Sequence, residues 1–146
     1  MPVLLFLLAI LAGVANPFQS GLNAELNKQL GRPIWTAIFI YLSAIVGLLL
    51  IQLFARQPLV GARVITTPWW AWLGGLVSLI STIVGLTIAQ RMGSGLFTGV
   101  SVTAALVTSV LLDQFGLIGF KQHPASFARI AGCALMVAGL WLIARF

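Results

Sequence analysis

The chain has 146 residues, of which 60% are hydrophobic and 7% are charged, and its mean hydropathy is +1.10. Soluble domains carry about 25% charged residues, so this composition excludes a soluble globular fold and predicts an integral membrane protein. The formal net charge of +6 does not indicate a nucleic-acid partner, because the eight lysines and arginines are scattered through short connectors. The single cysteine, Cys133, excludes an intrachain disulfide.

Five apolar stretches are long enough to cross a bilayer core, which takes roughly 20 helical residues. In chain order, the predicted spans are about 3–27, 34–54, 69–90, 95–115 and 126–144. The five tryptophans near the span ends are Trp35, Trp69, Trp70, Trp72 and Trp141. Indole rings favour the headgroup region, so their positions support these limits. The sequence predicts an all-α, five-helix membrane protein with a single transmembrane domain, residues 1–146.

The first span has an alternative interpretation as a cleaved secretory signal, because its LAGVA segment ends in a small residue. A signal peptide begins with a positively charged region, and the first 27 positions contain no lysine or arginine. We therefore expect this helix to be retained in the bilayer.

Lysine and arginine are equally divided between the two sides of the predicted bundle. The side that holds the N-terminus has Arg56, Arg63, Lys121 and Arg129. The opposite side has Lys28, Arg32, Arg91 and Arg145. An excess of these residues on one side normally fixes orientation, so the balance predicts insertion both ways round and pairing as an antiparallel homodimer. A chance balance, with other features fixing the orientation, is the alternative.

The last third of the chain carries a recognisable pattern. The segment VLLDQFGLIGF (110–120), followed by RIAGCALMVAGLWLIARF (129–146), resembles the end of the YdcZ-like family in the drug/metabolite transporter superfamily. The segments QSGLNAEL (19–26) and RMGSGLF (91–97) are also similar to motifs of that family. The resemblance implies half of a transporter from the bacterial inner membrane, which pairs with an inverted second half and moves its substrate along their interface.

Polar side chains in the first span form one stripe. They are Asn16, Gln19, Ser20, Asn23 and Asn27. At 100° per residue, they share a helix face about 100° wide. Lipid cannot satisfy amide groups, so the stripe is the candidate lining of a substrate path, with adhesion between helices as the alternative. Pro17 removes one backbone hydrogen bond within the stripe, which predicts a kink or local unwinding of the helix.

Small residues at helical spacing in the third and last spans indicate close helix packing. These packing candidates are Gly74, Ser78, Thr82, Gly85, Gly132 and Gly139. Tyr41, the only tyrosine, lies within the second span. Its hydroxyl needs a partner, so Tyr41 is a further candidate for the substrate path, with a packed aromatic as the alternative.

The sequence offers no constellation for metal, cofactor or catalytic chemistry. The one histidine, His123, lies in a connector, and with a lone cysteine it cannot complete a metal site. Asp113 ends the fourth predicted span, where we expect it to cap the helix or to pair with Lys121. Glu25 is expected to form an interfacial ion pair with Lys28. The chain is therefore predicted to be no enzyme and to take no cofactor.

Two functions remain open at this point. The first is a small transporter that moves a polar solute by alternating access as a dual-topology dimer in the lipid bilayer. The second is a non-transporting membrane subunit, whose amide stripe binds a larger partner. Neither the solute, the coupling ion nor the direction of transport follows from the sequence.

Overall fold

The computed structural model describes residues 2–58 and 60–146. These residues form six α-helices and two short 3-10 turns, with no β-strand among them. The helices are α1 (Pro2–Leu30), α2 (Pro33–Ala55), α3 (Ala62–Thr66), α4 (Leu73–Met92), α5 (Ser94–Phe115) and α6 (Phe127–Arg145). The 3-10 turn Trp69–Trp72 leads into α4, and the turn Leu117–Gly119 follows α5.

Five helical stretches among the described residues are long and apolar enough to cross a membrane. They are Val3–Leu30, Pro33–Ala55, Trp69–Met92, Ser94–Phe115 and Phe127–Arg145. Their limits agree with the predicted spans to within about one helical turn. The all-α class with five membrane-length helices is thereby confirmed.

Glycine and proline turn the chain back between the first two spans. Gly31 follows α1 with a φ of +63°, a conformation that glycine adopts without a steric penalty, and its N–H donates to the Asn27 carbonyl at 2.8 Å. Pro33 is the first residue of α2, where its missing N–H removes no helical hydrogen bond. This short connector makes α1 and α2 neighbours in a helical hairpin.

The described chain divides into two compact units, Met1–Arg91 and Met92–Phe146. The first contains α1 to nearly the end of α4, and the second contains α5 and α6. A single transmembrane domain over residues 1–146 stays a prediction.

The long helices of the first unit converge at one end. The buried residues there are Ala24 in α1, Thr36 and Ala37 in α2, and Leu86 and Ala89 in α4. They belong to the C-terminal parts of α1 and α4 and to the N-terminal part of α2. Small side chains predominate, which permits close approach of the helix backbones.

The opposite end of the first unit is open. Residues 3–16 of α1, 48–55 of α2 and 73–78 of α4 are all exposed. Exposed leucine, isoleucine and valine side chains suit a lipid environment, where they need no protein cover. The first unit is therefore packed at the end that contains Thr36 and loosely held at the other.

The second unit is an antiparallel hairpin of α5 and α6. Gly99, early in α5, lies against Leu140, late in α6: a Cβ built on Gly99 would be 3.0 Å from Leu140 Cδ1. Thr103, one turn further along α5, is buried. Ser126 caps the start of α6, because its Oγ accepts from the Arg129 N–H at 3.3 Å.

A candidate polar path in the first unit

The amide face of α1, defined by Asn16, Gln19, Ser20, Asn23 and Asn27, lies on one unbroken helix. α1 runs without interruption from Pro2 to Leu30 with Pro17 inside it. The helix is therefore not unwound at Pro17, and a bend at this position stays a prediction. Pro17 is half-buried, as are Ser20, Asn23 and Asn27 on the same side of the helix.

Asn27 joins the three long helices of the first unit. Its Nδ2 donates to the Leu86 carbonyl of α4 at 3.0 Å, and its Oδ1 accepts from Thr36 Oγ1 of α2 at 3.1 Å. Thr36 is fully buried, with 0% of its surface exposed, and its hydroxyl is also 3.1 Å from the Arg32 carbonyl. At this level, the amide serves helix packing, which was the alternative to a path-lining role.

Gln90 makes the reciprocal contact from α4 to α1. Its Nε2 donates to the Ala24 carbonyl at 2.6 Å. Sequence reasoning did not single out Gln90 or Thr36. Gln90 and Thr36 lie near the ends of predicted spans, and this position could have identified them. A polar side chain near a span end can bond to a backbone carbonyl of a neighbouring helix, which keeps a free lone pair.

The rest of the amide face is free of such contacts. Asn16 and Gln19 are exposed, and Ser20 and Asn23 are half-buried. None of these four side chains forms a hydrogen bond to another residue that the structure describes. The amide face is thus divided: its C-terminal end is used within the bundle, and its N-terminal part, toward the open end, presents amides with unused donors and acceptors.

Tyr41 meets two hydroxyls of α4. Its OH lies 3.0 Å from Ser78 Oγ and 2.9 Å from Thr82 Oγ1. We call these three residues the hydroxyl cluster. Ser78 and Thr82 were predicted as packing residues, and Tyr41 as a candidate for the path. The structure brings them together between α2 and α4, so the face of α4 that carries them is turned toward another helix.

Three of the glycines that were predicted to pack against another helix make no close contact in the described part of the chain. A Cβ on Gly74, Gly132 or Gly139 would meet no atom within 4 Å among the described residues, and Gly85 is half-buried. Their packing role stays a prediction that calls for a partner outside the contacts seen here. The close glycine contact of the second unit is instead at Gly99, which the sequence spacing did not single out.

Asp113 pairs with Arg129 and not with Lys121, which corrects the expected ion pair. Arg129 Nη2 lies 2.6 Å from Asp113 Oδ2, and Arg129 Nη1 donates to the His123 carbonyl at 3.1 Å. Arg129 lies in the first turn of α6, which begins at Phe127, and its side chain reaches the end of α5 directly. Lys121 lies in the exposed connector.

The same connector is held by the backbone at the end of α5. The Asp113 carbonyl accepts from the N–H groups of His123 at 2.8 Å and Gly116 at 3.4 Å. Gln114 holds the connector through its backbone and its side chain. Its backbone carbonyl accepts from Gln122 Nε2 at 3.1 Å, and its Oε1 accepts from the Ala125 N–H. These bonds satisfy carbonyls at the end of α5 that have no partner within the helix.

The expected pair of Glu25 and Lys28 is confirmed. Lys28 Nζ lies 3.7 Å from Glu25 Oε2, and Gln29 Nε2 donates to Glu25 Oε1 at 2.8 Å. Both members of the ion pair are largely exposed, so the pair contributes little to stability. No group of three or more His, Cys, Asp or Glu side chains that could hold a metal is found in the described part of the chain.

Five membrane-length helices, with charges at the helix ends and in the connectors, define a polytopic helical protein of the membrane. The chain belongs to the YdcZ family: the family model described as "Putative inner membrane exporter, YdcZ" matches residues 4–142. The chain is also 30% identical over 112 residues to "Inner membrane protein YdcZ" of Escherichia coli (strain K12), which covers 74% of each chain. No solved structure matches it.

Family membership confirms the resemblance seen in the sequence. The chain is an integral inner-membrane protein, its helices contact lipid, and the family description supports a membrane transporter.

Proposed function

We propose that this chain is half of a transporter that moves a small polar solute by alternating access, and that two copies in opposite orientations form the working unit. The observation that carries the proposal is the divided amide face of α1. Its far end is used in packing through Asn27, while Asn16 and Gln19 are exposed on the same helix.

The energetic argument concerns those exposed amides. An amide without a hydrogen-bond partner costs several kcal/mol in hydrocarbon, on the order of 4 to 8 in a solvent that cannot hydrogen-bond. Asn16 and Gln19 therefore need water, a solute or a second protein surface beside them. A path that water and a polar solute enter satisfies this need along the whole open part of the face.

The solute is expected to carry no net charge. The chain has two acidic residues, Glu25 and Asp113, and each is paired with a basic residue at a helix end. A charged solute at the amide face would meet no opposite charge there, and a proton-coupled mechanism would find no carboxylate on that face. Transport driven by the solute's own gradient fits this arrangement.

The inverted pair is supported by the charge balance and by the shape of the first unit. Each side carries four lysines or arginines, and one acidic residue on each side leaves the balance unchanged. The first unit is closed at one end and open at the other. An inverted copy would bring its closed end to the level of this copy's open end, so that each half opens toward a different side of the membrane.

The test is the triple variant Asn16→Ala, Gln19→Ala, Asn23→Ala, reconstituted into liposomes. Solute flux is expected to disappear while the variant still inserts and assembles. The matched control is Gln29→Ala, because Gln29 is an exposed amide of the same helix that bonds only to Glu25. Loss of assembly in the triple variant would instead favour a non-transporting subunit whose amide face binds a partner.

Orientation is tested separately, with reporter fusions at the C-terminus that are active on one side of the membrane only. Both reporters are expected to give signal. Two lysines added to one connector should then leave one reporter active. Signal from a single reporter with the unmodified chain would contradict the inverted pair.

A further inference from the structure

We infer that the hydroxyl cluster of Tyr41, Ser78 and Thr82 is a binding subsite for a neutral solute that carries hydroxyl or carbonyl oxygens. The inference rests on the proposed transport function and narrows it to a class of substrate. It is carried by the geometry of the cluster, by a count of its hydroxyl protons and by its depth in the helices.

The cluster has more hydrogen-bonding capacity than its own contacts use. Three hydroxyls bring three protons, and the two contacts of the Tyr41 OH, at 3.0 and 2.9 Å, use two of them. Neither Ser78 nor Thr82 donates to a carbonyl of its own helix among the described residues. At least one donor and several lone pairs are therefore left for another molecule.

Two other hydroxyls on the same helices bond to carbonyls of their own helix. Ser43 in α2 donates to the Ile40 carbonyl at 2.8 Å. Thr87 in α4 lies 3.1 Å from the Ile83 carbonyl and 2.9 Å from that of Val84. Helical hydroxyls in hydrocarbon commonly satisfy themselves in this way. Ser78 and Thr82 turn to Tyr41 instead, and Ser78 is exposed.

The cluster lies near the middle of two helices that are long enough to span a bilayer. Tyr41 is eight residues from the start of α2, about 12 Å along the axis, and Thr82 is ten residues from the end of α4, about 15 Å. Half of a hydrocarbon core is about 15 Å. A substrate site near the midplane is where a transporter built from two inverted halves holds its solute.

The chemistry of the cluster selects the solute. Hydroxyls both donate and accept, but they carry no formal charge, and the ion pair described in this unit, Lys28 with Glu25, lies near the end of α1. A cation, an anion or a zwitterion would lose its hydration at mid-membrane without an opposite charge in return. A hydroxyl or carbonyl group loses one hydrogen bond to water and regains one from the cluster.

The experiment measures flux in liposomes with three probes of equal size class: erythritol as a neutral polyol, glycine betaine as a zwitterion and tetramethylammonium as a cation. The variants are Tyr41→Phe and the pair Ser78→Ala with Thr82→Val. The controls are Ser43→Ala and Thr87→Val, which remove hydroxyls bonded within their own helices. Thr82→Ser keeps the hydroxyl and checks whether folding tolerates a change at this position.

We expect the protein to move erythritol, and the KM for erythritol to rise up to about tenfold in Tyr41→Phe and in the pair variant, as for the loss of one hydrogen bond. The maximal rate of these variants, and both kinetic constants of the controls Ser43→Ala and Thr87→Val, should stay near those of the unchanged protein. A lower maximal rate with an unchanged KM would overturn the inference, because the hydroxyls would then only hold α2 to α4. Movement of betaine or tetramethylammonium without erythritol would overturn it and leave transport intact. Movement of none of the three would likewise overturn the inference, because the neutral polyol would then not be a substrate.

Discussion

Asn27 of α1 and Gln90 of α4 make reciprocal hydrogen bonds, because the side-chain amide of each donates to a backbone carbonyl of the other helix. The Asn27 amide donates to the Leu86 carbonyl at 3.0 Å, and the Gln90 amide donates to the Ala24 carbonyl at 2.6 Å. Each carbonyl also belongs to a helix interior, and it accepts the side-chain amide through its second lone pair. The two contacts hold α1 and α4 together at the end where the first unit is closed.

Removing either amide is therefore expected to loosen the closed end. Asn27→Ala and Gln90→Ala should each lower the free energy of unfolding by about 0.6 kcal/mol, and by no more than about 1.7 kcal/mol, the average and the maximum measured for hydrogen bonds between membrane helices. Thermal unfolding in detergent, followed by tryptophan fluorescence, measures the change. Asn16→Ala is the comparison, because its amide makes no hydrogen bond to a described residue and its removal should leave stability unchanged. Equal losses at positions 16 and 27 would contradict the division of the amide face.

The ion pair of Asp113 and Arg129 is expected to protect the connector after α5 from proteolysis. Asp113→Asn should free Arg129 and the connector it holds, so that limited proteolysis cuts between 116 and 126 faster than in the unchanged protein. Arg129→Lys should have an intermediate effect, because lysine keeps the charge but loses the forked contact to both Asp113 and His123. Lys121→Gln is the control and should change nothing. Faster cleavage in Lys121→Gln would indicate that Asp113 pairs with Lys121, as expected from the sequence.

Ile118 holds an unfavourable backbone conformation in the same connector. Its φ of 55° and ψ of 33° lie in the left-handed region, which is costly for a β-branched side chain. Ile118→Gly is expected to stabilise the protein by about 1 kcal/mol, because glycine adopts this conformation without strain. Leu117→Gly is the neighbouring control and should not stabilise. A loss of stability in Ile118→Gly would mean that the exposed Ile118 side chain contributes more than the strain costs.

Gly99 permits the close approach of α5 and α6. Gly99→Val should push α6 away, since even a Cβ would lie 3.0 Å from Leu140 Cδ1. Shortening the opposing side chain with Leu140→Ala should partly restore the stability of Gly99→Val. Gly95→Val is the matched control, because a Cβ there would meet no atom within 4 Å. Thermal unfolding of the three single variants and the double variant gives the coupling, and additive losses would contradict a direct contact.

The helices could be predicted from the sequence because length and hydropathy fix a membrane span almost alone. The start of the second span, predicted at about residue 34, lies one residue from Pro33, where α2 begins. The hydrogen bonds of Asn27 to α2 and α4 could not be predicted in the same way. Periodicity placed it on one face with Asn16, but which part of that face is packed depends on where α4 crosses α1, and no local pattern carries that information.

Side-chain reach explains the mistaken partner of Asp113. Lys121 is nearer in sequence, but it lies exposed in the connector, while the first turn of α6 brings Arg129 to Asp113. The cluster of Tyr41 with Ser78 and Thr82 was missed for a related reason. Each residue was noticed separately, and their contact joins positions 37 and 41 residues apart.

The central claim is that water reaches the open part of the amide face. It is tested most directly by the reactivity of single cysteines in liposomes, in a Cys133→Ser background, toward a charged, water-soluble methanethiosulfonate. Gln19→Cys is expected to react much faster than Phe18→Cys, its neighbour on the far side of α1, because the reactive thiolate forms only where water reaches the sulfur. Equal rates at positions 18 and 19, or a protected position 19 beside a reactive position 18, would contradict a polar path along this helix.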